Sequence, residues 1–105
     1  MDGVVAEAAD DVEYVLGSHG VRVVGREAWR SVVVSVATAI PGRRMHVSRR
    51  IVADEAAAVE WASKGWVSSG QVTGYPAAGE LVRREGCSVI GFRHGLIVYF
   101  RDYVE

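Results

Sequence analysis

Hydrophobic and polar residues change their spacing along this chain in a way that marks out its elements. Val12-Glu13-Tyr14-Val15 alternates with the period of two that puts successive side chains on opposite faces of a strand. The segment before it, Asp2 to Asp11, is rich in alanine and acids and suits a helix, though one too short to hold unaided. Gly17-Ser18-His19-Gly20 reads as a turn, and Val21 to Val24 as a second short strand. Gly25-Arg26-Glu27 then opens a helix. Ala28, Trp29, Val32, Val33, Val36, Ala37 and Ile40 form its apolar stripe, and Pro41-Gly42 ends it. The β-branched run Val32-Val33-Val34 works against that helix; the stripe works for it.

Beyond Pro41 the pattern is strand-like to the end. Met45 to Ala53 is a strand, Asp54-Glu55 a turn, and Ala56 to Val67 a strand with Glu60-Trp61 at its centre and Gly65 marking a bulge. Ser68 to Gly79 is a Gly/Ser/Pro loop. Glu80 to Phe92 is a long strand, and Arg93-His94-Gly95 turns tightly into the last one. One main helix on a meander of four long antiparallel strands predicts an α+β fold.

On the last strand a regular period of two lines up Leu96, Val98, Phe100, Asp102 and Val104, and leaves Ile97, Tyr99 and Tyr103 on the other face. A carboxylate among large apolar side chains must be paired, or hold its proton more tightly than usual. That is the requirement for a general acid or base, so Asp102 is the first candidate for chemistry. Tyr14 is a candidate hydrogen-bond donor beside it, against a plain packing role. Trp29, Trp61, Val98 and Phe100 are candidates for the apolar wall of a substrate pocket. Glu60 is a second acid if it faces inward and a solvated sheet residue if it faces out.

Composition narrows the class. The chain has 105 residues, half of them hydrophobic, which suits one domain over 1–105 with a single modest core. A formal charge of -1 argues against a nucleic-acid binder, and the pairs Arg43-Arg44 and Arg49-Arg50 read as solvated charges. The lone Cys87 cannot form an internal disulfide and reads as a small buried residue. No run is apolar enough to span a bilayer, and the start lacks the basic end of a signal peptide, so a cytoplasmic protein is expected. His19 and His46 have no metal-ligand spacing, and neither a metal nor an organic cofactor is expected. Lys64 is the one lysine against eleven arginines, a bias of GC-rich bacterial genomes.

Asp10-Asp11-Val12-Glu13-Tyr14, Gly25-Arg26-Glu27-Ala28, Val59-Glu60-Trp61, the Gly74…Pro76…Gly79 loop and His94-Gly95-Leu96-Ile97…Arg101-Asp102-Tyr103 together resemble the SnoaL-like branch of the nuclear transport factor 2-like superfamily. The resemblance implies a curved sheet wrapped into a cone around an apolar pocket. Its members include polyketide cyclases, ketosteroid isomerase and limonene epoxide hydrolase, beside members with no catalysis. Two departures stand out: Met1 falls about where the usual first helix would have ended, and the tail beyond the last strand is absent.

Taken position by position, the epoxide hydrolase pattern places its acid at Asp102 and its tyrosine at Tyr14. Its asparagine position holds Leu16, and its Arg-x-Asp pair falls near Glu60-Trp61-Ala62-Ser63, which offers none. The isomerase's proton-shuttling acid would fall at Tyr14, and the histidine of many cyclases at about Ser88. The resemblance thus implies an enzyme acting on an apolar epoxide or carbonyl compound by acid/base chemistry, or else a non-catalytic ligand-binding or dimerisation module. The apolar outer sheet face, with Tyr99 and Arg101, predicts a homodimer.

Overall fold

The computed structural model describes residues 7–17, 20–68 and 77–104. Asp2 to Ala6, Ser18-His19 and Thr73 to Pro76 therefore lie outside it. Strands β1 (Ala8–Leu16) and β2 (Val21–Val24) precede helix α1 (Arg26–Ala39), and β3 (Arg44–Val52), β4 (Ala56–Trp66), β5 (Leu81–Arg93) and β6 (Leu96–Val104) follow. The six strands form one curved mixed sheet in the order β2-β1-β6-β5-β4-β3. Only β1 and β6 run parallel; the other neighbours are antiparallel. Sheet and helix together make an α+β fold, one helix packed on a curved sheet.

The helix starts where Gly25 takes a φ of 107°, a value costly for any residue with a Cβ, and donates its N–H to the Val12 carbonyl at 2.8 Å. Trp29 and Val33, one turn apart, are buried against β1 and β2, the strands the helix covers. Tertiary burial of this stripe outweighs the poor helix propensity of Val32 to Val34. At the C-terminus the Ala39 carbonyl, left without a partner in the helix, accepts from the Ser68 N–H at 2.8 Å.

Two buried clusters result. One joins Ala8, Val12, Tyr14, Trp29, Val33 and Ile97. The other, at the far end of the helix, joins Ala39, Ile40, Val67 and Val82.

Three local expectations are corrected. Ala8 to Asp11 is strand, not helix: Glu7 accepts from the Ile97 N–H at 3.0 Å, and Arg26 holds Asp10 at 2.9 Å. Pairing with β6 decides this stretch, overriding composition. Gly65 is not a bulge, since β4 and β5 pair in unbroken register through Gly65 and Val82. Its missing side chain instead admits Ile40, whose Cγ2 would lie 2.5 Å from a Cβ there.

The third correction concerns β6. Its pairing with β5 shifts between Gly91 and Phe92: Tyr99 faces Gly91, yet Ile97 faces Phe92. One extra residue, Val98, is accommodated by the bulge and the alternation reverses across it. Ile97 is therefore buried and shares the inner face with Phe100 and Asp102, while Leu96 is exposed. The expectation of Ile97 on the outer face fails for this reason.

Candidate active site

Asp102 sits on β6 directly opposite Ser88 of β5, beside Leu16 of β1. Tyr14, two residues before Leu16, lies on the same face and donates its phenolic O–H to Asp102 Oδ2 at 2.8 Å. Ser88 Oγ donates to Asp102 Oδ1. Behind Ser88, Trp61 Nε1 donates to Ser88 Oγ at 2.9 Å. An indole N–H can only donate, so Ser88 must accept there, and its own hydrogen is left for Asp102. Oδ1 is thereby held as an acceptor, and a proton on this carboxyl belongs on Oδ2, facing Tyr14.

Glycine makes the chain of bonds fit. Gly86 pairs with Trp61 across β4 and β5, and the indole lies over it; a Cβ at Gly86 would stand 2.8 Å from Trp61 Cζ2. With that space open the ring reaches two residues along β5 to Ser88.

The apolar side of the site is aromatic. Tyr14 and Trp29 stack with centroids 5.7 Å apart and an interplanar angle of 16°. Phe100 completes the group at 5.0 Å from Trp29 and 6.1 Å from Tyr14. Such pairs contribute ~0.5–1.5 kcal/mol each beyond area burial and fix the phenol in place.

Burial pushes the Asp102 pKa above the ordinary carboxylate value, against the opposing pull of the Ser88 and Tyr14 hydrogen bonds and the charge of Arg43. Desolvation wins, and the group keeps some solvent access. A carboxyl in this state keeps its proton to higher pH than a surface aspartate and is the stronger base once ionised.

Of the residues the sequence singles out, Asp102, Tyr14, Trp29, Trp61 and Phe100 come together. Glu60 does not. It faces the outer side of the sheet, more than half exposed, pairs with Arg49 at 3.6 Å and lines the outer concavity, away from the Asp102 carboxyl, so it is no second acid beside Asp102. Val98, expected as pocket wall, is the extra residue of the β6 bulge and does not pack on the aromatic core. Cys87 is partly exposed on the outer face, opposite Glu60 and Tyr103. There it lines a concavity of about 730 Å³ with Arg49, Ile51, Glu85, Arg101 and Tyr103, on the side of the sheet away from the Asp102 carboxyl. Among the described residues no group of His, Cys, Asp and Glu could hold a metal ion, and no helix is long and apolar enough to cross a membrane.

The chain belongs to the SnoaL-like domain family, whose model matches residues 1–100. No curated protein matches it. Among solved structures it is similar to a nuclear transport factor 2-like protein of unknown function from Exiguobacterium sp. 255-15, at 20% identity and a TM-score of 0.78, covering 99% of this chain and 81% of that one. A protein provisionally described as a SnoaL-like polyketide cyclase, from Jannaschia sp. CCS1, gives 16% identity and a TM-score of 0.86, covering 99% and 71%. TerC co-crystallised with polyporic acid gives 17% identity and a TM-score of 0.74, covering 99% and 78%. At these identities the likeness establishes the fold.

Proposed function

We propose that this SnoaL-like domain is a cofactor-independent enzyme that moves a proton on an apolar carbonyl compound of polyketide type, working as a homodimer. The observation that carries the reading is the Asp102 carboxyl, kept on an apolar face with a raised pKa and one oxygen turned to Tyr14. In the ionised form Asp102 takes a proton from a carbon flanked by carbonyl groups, and the electron pair of that C–H bond moves into an enolate. In cyclisation the enolate carbon bonds to a second carbonyl carbon, whose oxygen takes the proton back from Asp102. In isomerisation the proton returns to another carbon of the conjugated system. Phe100, partly exposed beside Asp102, is the apolar side chain that meets the substrate, with Trp29 and Trp61 buried behind it as its support.

Epoxide opening is less well supported, because Glu60 faces out and, among the described residues, Asp102 is bonded to Tyr14 and Ser88 and to no second acid. The polyketide-type substrate draws on the names of its relatives, the Jannaschia and Xanthomonas campestris proteins provisionally described as polyketide cyclases.

The test is deuterium exchange into a panel of cyclisable polyketones in D₂O by wild type and Asp102→Asn. A positioned carboxylate contributes ~10²–10⁴ in rate, so the variant should lose most of the exchange. Equal exchange by both proteins would remove Asp102 from the mechanism. Saturable binding of the polyketone with no exchange by wild type would favour a non-catalytic binding module.

A further inference from the structure

Three cations stand in one row across the outer face of the sheet. Arg44 on β3 is the register partner of Lys64 on β4, and Lys64 is the register partner of Arg83 on β5. Direct cross-strand partners share a face with Cβ atoms ~4.5–5.5 Å apart, so the three charges fall within ~10 Å of one another. All three residues are exposed. Like charges placed directly opposite each other destabilise a sheet. Higher up the same face Arg49 is answered by Glu60 at 3.6 Å, yet among the described residues none of the three has a carboxylate within ion-pair distance. The row therefore keeps an uncompensated charge in a chain whose net charge is -1.

The row is also concave. Arg44, Lys64 and Arg83 line a depression of about 440 Å³ with Met45, His46, Ala62, Ser63, Arg84 and Glu85. Ala62 is the partner of both His46 and Glu85 in the next row, and its small side chain leaves the floor low between longer neighbours. Arg84 reaches the rim with Nη1 donating to the Arg83 carbonyl at 3.1 Å. Three permanent cations thus stand beside one carboxylate, that of Glu85.

We infer that this depression binds the diphosphate group of a phosphorylated small molecule, on the opposite face of the sheet from Asp102 and independently of its chemistry. A carboxylate has one charge and two oxygens, and a single guanidinium satisfies it. A diphosphate presents several oxygens and more than one charge over a length comparable to the row. Its oxygens can engage Arg44, Lys64 and Arg83 together, the guanidinium groups through paired N–H donors and Lys64 as a point charge between them. The short reach of the row, three cations across three strands, suits a small molecule better than an extended nucleic-acid backbone, which needs a continuous basic track.

The probe is inorganic pyrophosphate, titrated calorimetrically at physiological ionic strength, with orthophosphate, phosphatidylserine vesicles and a short single-stranded oligonucleotide as comparison arms. Saturable one-to-one binding of pyrophosphate, tighter than orthophosphate, is expected. Lys64→Gln and Arg83→Gln should each weaken it by about tenfold or more, while Arg93→Gln, an exposed cation at the other end of β5, should leave it unchanged. Equal weakening by Arg93→Gln would reduce the effect to net charge and overturn the inference, as would no saturable binding in the millimolar range. Preference for the vesicles or the oligonucleotide would overturn it in favour of a membrane or nucleic-acid surface. Dissociation of a dimer by pyrophosphate would assign the row to an interface between copies and overturn it too.

Discussion

A carboxyl group whose pKa is raised by burial leaves a signature in the pH dependence of stability. Asp102 has a folded pKa raised above that of the unfolded chain. Below the ordinary carboxylate value both states are protonated and its contribution is fully present. As pH rises through the raised folded value, the native state must ionise a desolvated group, and stability is lost. Asp102→Asn keeps the shape and keeps an acceptor for Ser88, but removes the charge. Urea denaturation between about pH 4 and about pH 8 should therefore show wild type losing stability relative to the variant as pH rises. Parallel curves would show that Asp102 titrates like an exposed carboxylate.

Ser88 is the next residue to test. Its hydrogen bond lowers the Asp102 pKa, so Ser88→Ala should raise it further, while Ser88→Thr, which keeps the hydroxyl, should restore it; carboxyl carbon NMR reads both. The alanine variant also strands the buried Trp61 N–H, at a cost of ~1–3 kcal/mol. A pKa that does not move would break the proposed link between Ser88 and the acid. Asp102 was legible in the sequence because a charge on an apolar strand is conspicuous; Ser88 entered only as the position of the cyclases' histidine, and its bond to Asp102 was not legible. Counting back regularly from the His94-Gly95 turn sets Cys87 opposite Asp102; only the extra residue in β6 moves Ser88 there.

At the scale of elements, the helix and strands β4 to β6 followed from periodicity because each has a face that is at least partly buried, whereas β3 is exposed along its whole length. The exceptions are places where another element decides. Ala8 to Asp11 has no strand preference and is extended only because β6 and Arg26 hold it. The bulge in β6 has no residue signature, since Val98 is an ordinary strand former. The turn before it was readable: His94 and Gly95 both have positive φ, 54° and 77°, as a two-residue hairpin turn requires.

Gly86 shows how an element serves the site. A methyl group there would press on the Trp61 ring and on the Tyr103 carbonyl across the β5–β6 ladder. Gly86→Ala should cost ~1–3 kcal/mol in chemical denaturation and displace the indole, changing its fluorescence. Gly42→Ala, where a Cβ would meet nothing within 4 Å, is the matched control and should be near neutral. Equal stability of the two variants would mean that the indole does not need the gap.

At the scale of the molecule, the helix covers β1 and β2 and leaves the outer side of the sheet open. That side carries Tyr103 at 48% and Ile51 at 63% exposure around the concavity between β3 and β6. Isolated exposed apolar residues are ordinary, but here they are grouped with charges of both signs: Arg49 and Arg101 with Glu60 and Glu85. A twofold axis through such a patch lets the basic residues of one copy meet the acidic residues of the other, while Tyr103 and Ile51 are buried at the centre. Tyr99 and Arg101 lie on the same strand within reach of this centre, as the proposed homodimer requires; Ile97, turned inward by the bulge, contributes nothing to it. Sedimentation at micromolar concentration should give twice the 11.4 kDa chain mass. Tyr103→Glu sets a charge in the middle of the patch without touching the inner face, so it should yield a folded monomer that keeps the Asp102 titration. Wild-type protein that sediments as a monomer, with a stability that Tyr103→Glu leaves unchanged, would show that this face meets only water.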